Sequence, residues 1–204
     1  MAEIDLTKNN LTGTDEVGRG CLAGPVLAAA VSLNPDNIPS GIKDSKKLTA
    51  KQRELLYQQI NTTALDISIH AVTVAEIEKI NILNASKKAM HIACQKLKIK
   101  SDKILVDGIH KPKDTNFYYP IPQGDSKILA IAAASIVAKV TRDKLMQKLH
   151  NRFPNYGWFY NKGYGTSEHT KAIIKFGITT HHRKNFEPIK SMLKKCIIKN
   201  NMQS

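Results

Sequence analysis

The sequence predicts an α/β layered fold whose sheet is not purely parallel. Three observations carry this. Short apolar runs of strand length come first, they alternate later with longer segments of helical period, and the first two runs lie close enough to be antiparallel neighbours. At 204 residues the chain suits one domain, or one domain with an appendage.

Taken in order, residues 11–17 read as a short strand entering Gly18-Arg19-Gly20, and residues 25–33 (PVLAAAVSL) as a second strand closed by Asn34-Pro35-Asp36. Only seven residues separate Val17 from Pro25, so a glycine-rich connection joins them as an antiparallel pair. Thr49 is placed to N-cap a helix over 50–60, with Leu55, Leu56, Gln59 and Ile60 at helical spacing. Alternation at Leu65, Ile67 and Ile69 gives a strand within 64–74, and residues 74–97 read as a helix broken near 81–84. Residues 103–106 (KILV) form a buried-type strand ended by Asp107-Gly108, while 117–122 is extended but limited by two prolines, and is therefore short or at an edge. From 126 to 150 the chain is alanine-rich and helical. Residues 154–166, rich in Gly, Tyr and Asn, are the most loop-like stretch, and they divide a core over 1–150 from a C-terminal extension over 151–204.

Charge is unevenly placed. The net charge is +14, yet residues 1–125 carry 16 basic and 14 acidic side chains against 15 and 3 in residues 126–204. A one-sign field concentrated in one region suits a polyanion rather than a small neutral substrate. The three cysteines, Cys21, Cys94 and Cys196, fit no metal-ligand spacing and no disulfide framework, so free thiols in a reducing compartment are expected. The polar opening decade and the short apolar runs give neither a signal-like segment nor a membrane span, and a cytoplasmic protein is expected.

In a basic chain, acids at strand ends stand out. Asp15 and Glu16 lie in the first strand, Asp107 directly follows KILV, and Asp125 opens the alanine-rich segment. Carboxylates gathered on a sheet edge raise one another's pKa unless a hard, oxygen-seeking cation such as Mg²⁺ or Mn²⁺ neutralises them. Adjacent strand residues point to opposite faces, so Asp15 and Glu16 share a site only where the strand ends or bulges. Each acid also has a plain structural reading: one solvated and one salt-bridged acid at Asp15 and Glu16, a helix N-cap at Asp125. Gly13 to Gly18 has the spacing of a phosphate loop, but Arg19-Gly20 stands where Lys-Ser/Thr is required. Gly18-x-Gly20-x-x-Ala23 fits a relaxed dinucleotide fingerprint, which would need a helix to follow.

Together, Thr14-Asp15-Glu16-Val17-Gly18-Arg19-Gly20, Asp44-Ser45-Lys46-Lys47-Leu48, Val106-Asp107-Gly108, Gly124-Asp125-Ser126, the run Ala133 to Asp143 (AASIVAKVTRD) and Lys162-Gly163-Tyr164 resemble the ordered motifs of ribonuclease HII, from about residue 11 to about residue 190. The resemblance implies a ribonuclease H-like mixed sheet flanked by helices, with a helical C-terminal extension that helps bind duplex. It implies an endonuclease that hydrolyses the RNA strand of RNA–DNA hybrids and incises DNA 5′ to embedded ribonucleotides, leaving 3′-hydroxyl and 5′-phosphate ends. Asp15, Glu16, Asp107 and Asp125 match the family's metal-binding carboxylates, for Mg²⁺ or Mn²⁺. Gly18, Arg19 and Gly20 match the segment that reads the 2′-hydroxyl, and Tyr164 the tyrosine that stacks on the following deoxynucleotide sugar. Lys46 and Lys47 could hold a backbone phosphate, or form a solvated helix entry.

Lys139 and Arg142, with Arg183, Lys184, Lys190, Lys194, Lys195 and Lys199, are expected to position the duplex. His181-His182 reads as a surface or phosphate-side pair. The partners expected are RNA–DNA hybrid and ribonucleotide-containing DNA, met by a monomer. Cys21 and Gly165 depart from the family, where proline, or proline or alanine, is common. The sister type, ribonuclease HIII, carries a substantial N-terminal domain, whereas fourteen residues precede Asp15. A catalytically silent nucleic-acid-binding protein and a dinucleotide-dependent oxidoreductase are the rival readings.

Overall fold

The computed structural model describes residues 12–42 and 47–194. Strand β1 (Thr12–Val17) pairs antiparallel with β2 (Val26–Ser32), in unbroken register from Thr12↔Ser32 to Val17↔Leu27. Every residue of β2 is buried, as its continuous apolar run requires. The segment after Gly20 turns into this strand and opens no helix, which removes the dinucleotide-binding reading.

Helix α1 (Ala50–Thr63) begins at Thr49 with a reciprocal cap: the Gln52 amide donates to Thr49 Oγ1 at 3.3 Å and the Thr49 amide to Gln52 Oε1 at 2.9 Å. Its buried positions are Leu56 and Ile60, while Leu55 and Gln59 face solvent, so the core face is narrower than the spacing predicts. Strand β3 (Asp66–Val72) leads to α2 (Val74–Lys96). This helix breaks where expected, at Asn81 (φ 63°), whose Oδ1 accepts from the Asn84 amide at 3.0 Å and restarts it. Strands β4 (Ile104–Asp107) and β5 (Tyr118–Ile121) complete a five-stranded sheet of order β3-β2-β1-β4-β5. The β1–β4 and β4–β5 pairs are parallel, which makes the sheet mixed, and β5 with Pro120 lies at the edge. Helix α3 (Leu129–Arg152) starts later than the sequence suggests, because a 3₁₀ turn, Gly124–Ser126, precedes it.

The chain forms two compact units. One comprises the described residues of Met1–Val17, Leu27–Ala71 and Ser86–Arg142; the other, those of Gly18–Val26, Val72–Ala85 and Asp143–Ser204. In the first, Leu27, Val31, Leu33, Leu56, Ile60 and Ile136 are among the residues that build the core between sheet and helices. Helix and sheet approach closely there because the residues are small. A Cβ on Gly13 would lie 2.4 Å from the Ala130 carbonyl carbon, far inside contact distance. The second unit packs Leu22, Met146, Tyr156, Trp158, Ile173 and Ile189 together. Its residues 154–166 hold a 3₁₀ turn (Pro154–Tyr156) and the short helix α4 (Trp158–Asn161), followed by α5 (Ser167–Phe176). Positive φ at Gly157, Lys162 and Gly163 breaks any readable period in that stretch. No helix among the described residues is long and apolar enough to cross a membrane.

Candidate active site

The carboxylates gather where the parallel strands end. The last β1–β4 pair is Thr14↔Val106, so Asp15 and Glu16 on β1 and Asp107 on β4 emerge side by side at the carboxyl edge. In α/β sheets this edge is where ligands bind. Asp15 is buried, whereas Glu16 and Asp107 are half-buried. Burial, then the charges of Glu16 and Asp107, hold the Asp15 carboxyl well above its ordinary pKa; a hydrogen bond from Ser135 and the Glu16 amide, 2.7 Å from Asp15 Oδ1, offset part of this. The regular β1 register means that no bulge turns Glu16 toward Asp15's face. Its charge reaches Asp15 across the strand end instead.

Asp125 sits in the 3₁₀ turn, 5 % exposed. It does not cap α3, because the turn and residues 127–128 intervene. The turn is tied to β4 by its backbone: Asp107 Oδ1 accepts from the amides of Gly124 at 2.7 Å and Asp125 at 3.3 Å. The approach is close, since a Cβ on Gly124 would stand 2.5 Å from Ile131 Cδ1 and require that methyl to shift. Among the described residues, no three His, Cys, Asp or Glu side chains close into a ready cation cage. The set nevertheless suits a hard divalent ion. It consists of carboxylate oxygens alone, and one of them is held in an environment that penalises its charge until a cation compensates it.

In the other unit, Gly18 is buried while Arg19 and Gly20 are exposed. Arg183, placed by its sequence among the duplex-positioning cations, is fully buried and serves this loop. Its Nη2 donates to the carbonyls of Gly18 (2.7 Å) and Gly24 (2.9 Å), its Nη1 to that of Arg19 (2.8 Å), and its Nε to Gly24 (3.1 Å). Gly163 O accepts from the Leu22 and Ala23 amides, which joins the end of the loop to the segment carrying Tyr164. A Cβ on Gly163 (φ 85°) would lie 2.5 Å from Ala23 O, so glycine there allows that contact, while one on Gly165 would require the Leu22 Cδ1 methyl, 2.9 Å away, to shift. Tyr164 is 42 % exposed. The Cys21 side chain is buried, with its thiol 3.8 Å from the Lys162 carbonyl.

Other sequence expectations change. Arg142 is fully buried and is no phosphate contact, although Lys139 on the same helix is half-buried and Lys184, Lys190 and Lys194 are exposed. His182 is 1 % exposed rather than at the surface; its Nδ1 accepts from the Thr179 amide at 2.9 Å. Lys47 is exposed ahead of α1, while Lys46, Lys195 and Lys199 lie outside the described residues. Ser135 and His169 are supporting residues to which the sequence pattern assigns no role, whereas Arg183 and His182, expected among the surface groups, are buried supports.

The model for ribonuclease HII matches residues 12–189. The chain is 50% identical to ribonuclease HII of Wolbachia sp. subsp. Brugia malayi, over 97% of this chain and 100% of that protein. The ribonuclease H2 structure from Pyrococcus horikoshii is similar over 92% of this chain and 98% of that one, at 27% identity and a TM-score of 0.75. A Bst-RNase HIII structure in complex with Mn²⁺ shares the fold at 18% identity and a TM-score of 0.77, over 93% of this chain and 71% of that one.

Proposed function

The chain belongs to the ribonuclease HII family of metal-dependent endonucleases, and from that premise we propose that it hydrolyses the RNA strand of RNA–DNA hybrids and incises duplex DNA 5′ to embedded ribonucleotides, leaving 3′-hydroxyl and 5′-phosphate ends. The observation that carries the reading is the carboxylate edge. Asp15, Glu16 and Asp107 meet at the ends of adjacent parallel strands, and the charge on Asp15 is disfavoured until something positive arrives.

Asp15, Glu16, Asp107 and Asp125 would hold Mg²⁺ or Mn²⁺, which when bound supplies an activated attacking water and stabilises the leaving 3′-oxygen. The chain's own part is placement. Ser135 and the Glu16 amide orient Asp15, and the amides of Gly124 and Asp125 fix Asp107 through Oδ1. Arg183 draws the carbonyls of the Gly18-Arg19-Gly20 loop toward itself. In this reading the Gly18-Arg19-Gly20 segment reads the 2′-hydroxyl, the one group that separates RNA from DNA at a given position. Tyr164 stacks on the deoxynucleotide sugar that follows, and Lys46 and Lys47 hold a backbone phosphate. The exposed Lys184, Lys190 and Lys194 bind the duplex backbone.

The test is a duplex DNA with one ribonucleotide, assayed against an all-deoxy control in a Mg²⁺ and Mn²⁺ series. Metal-dependent incision of the first duplex alone is expected. Equal cutting of the control, or cutting in chelator, contradicts the reading. Affinity should fall by about 0.9 log units per log unit of salt for each phosphate neutralised, and a flat profile contradicts the duplex-backbone role.

A further inference from the structure

Behind Tyr164 lies a buried hydrogen-bonded chain that the proposed reaction does not use. His169 on α5 and His182 are 0 % and 1 % exposed, and Trp158 on α4 is fully buried beside them. His169 Nδ1 is 2.8 Å from the Tyr164 carbonyl, and its Nε2 is 3.0 Å from Trp158 Nε1 and 3.2 Å from His182 Nε2.

The partners settle where every proton sits. The Thr179 amide can only donate, so His182 Nδ1 accepts, and neutral His182 carries its proton on Nε2. The indole N–H of Trp158 also can only donate. Both donors converge on the single lone pair of His169 Nε2, so that nitrogen is bare and the His169 proton is on Nδ1, aimed at the Tyr164 carbonyl. An imidazolium at His169 would set an N–H against two others. Burial lowers the pKa of both histidines in agreement with this, and His182 falls to about 4.

Tyr164 is thereby held through its backbone. Its carbonyl takes protons from His169 and from the Thr166 amide at 2.9 Å, and its own amide donates to the Asn161 carbonyl at 2.9 Å. Thr166 Oγ1 in turn accepts from the His169 amide at 3.2 Å, so the tyrosine segment and the start of α5 are closed into one ring of bonds.

We propose that His169, fixed in its Nδ1–H tautomer by Trp158 and His182, is a positioning residue that sets the Tyr164 backbone and so the discrimination of RNA–DNA junctions from uniform hybrid. The inference rests on the role proposed above for Tyr164. The readout is the ratio of kcat/KM on duplex DNA with one ribonucleotide to kcat/KM on uniform RNA–DNA hybrid, for the wild type, Tyr164→Ala, His169→Leu and His169→Asn. Leucine keeps much of the volume and removes both nitrogens. Asparagine places an N–H donor near the Nδ1 position.

His169→Leu should lower the ratio about two- to tenfold, the worth of one hydrogen bond, in the same direction as Tyr164→Ala, and His169→Asn should restore most of it. A Tyr164→Ala ratio equal to wild type overturns the junction role of Tyr164 and the present inference with it. A reduced Tyr164→Ala ratio beside an unchanged ratio in folded His169→Leu overturns the inference alone. Should the leucine variant fail to fold, imidazole ¹⁵N shifts of the wild-type chain at pH 7 decide. A protonated Nδ1 with a bare Nε2 on His169 is expected, and a protonated Nε2 overturns the inference.

Discussion

Arg183 should be the most costly single cation to remove from this strongly basic chain. Its guanidinium is fully buried, makes four hydrogen bonds to three carbonyls of residues 18–24, and lies 5.0 Å from the Phe186 ring centre. Arg183→Met keeps much of the length and the packing on Phe186 but removes every side-chain donor. Gly18 O retains a 3.4 Å contact with the Cys21 amide, so the heaviest loss falls on Gly24 O, which accepts two of the four bonds. A buried acceptor stripped of its partner costs about 1–3 kcal/mol, and bonds from a charged donor lie at the upper end. Two to three such losses give roughly 3–6 kcal/mol, a large part of the ~5–15 kcal/mol that holds a domain together. Urea unfolding followed by the fluorescence of Trp158, the chain's one tryptophan and a core residue of the same unit, measures this directly. Arg183→Lys should fall between the two, because one ammonium cannot span three carbonyls as a planar fork does. A loss below about 1 kcal/mol in the methionine variant would refute the assignment of Arg183 as the clamp of this loop.

Two further perturbations follow from the same geometry. Gly13→Ala should destabilise by roughly 3 kcal/mol or more, because the new methyl meets the α3 backbone at 2.4 to 2.6 Å, where neither partner can rotate away; an unchanged melting temperature would contradict the close helix–sheet approach. His182, whose pKa burial and then the neighbouring His169 and His181 lower to about 4, stays neutral in the fold but protonates near 6.5 when unfolded. Its contribution is therefore complete above about pH 6.5 and lost as pH falls toward 4, a change of about 3 kcal/mol. His182→Asn, which keeps an acceptor for the Thr179 amide, should flatten that acid limb, and an identical pH profile in the variant would contradict the assignment.

Local chemistry was legible in the sequence, and long-range burial was not. Thr49 announces its helix because a threonine followed three residues later by glutamine is itself the cap, and Asn81 announces the break in α2 because asparagine tolerates positive φ. Pro120 marks an edge strand for an equally local reason. Asp15, Glu16 and Asp107 stand out because acids at strand ends oppose the local apolar pattern. Asp125 is harder to read, since aspartate before an alanine-rich run looks the same whether it caps a helix or sits in a 3₁₀ turn. Arg183 and Arg142 were counted as surface charge because composition records a cation's sign but not its neighbours. The carbonyls that bury Arg183 are 159 to 165 positions away. His182 reads as a surface residue for the same reason: its partner His169 lies on α5, thirteen residues earlier.

The proposed function places a metal-dependent cut beside a ribonucleotide on the carboxylates at the ends of β1 and β4. Asp107→Asn, assayed in Mg²⁺ on duplex DNA holding one ribonucleotide, tests it most directly. The substitution preserves size and leaves an oxygen for the Gly124 and Asp125 amides, so the fold should survive. Incision 5′ to the ribonucleotide should fall at least about a hundredfold, in keeping with the several kcal/mol that metal assistance supplies. Incision by Asp107→Asn at the wild-type rate would contradict the account.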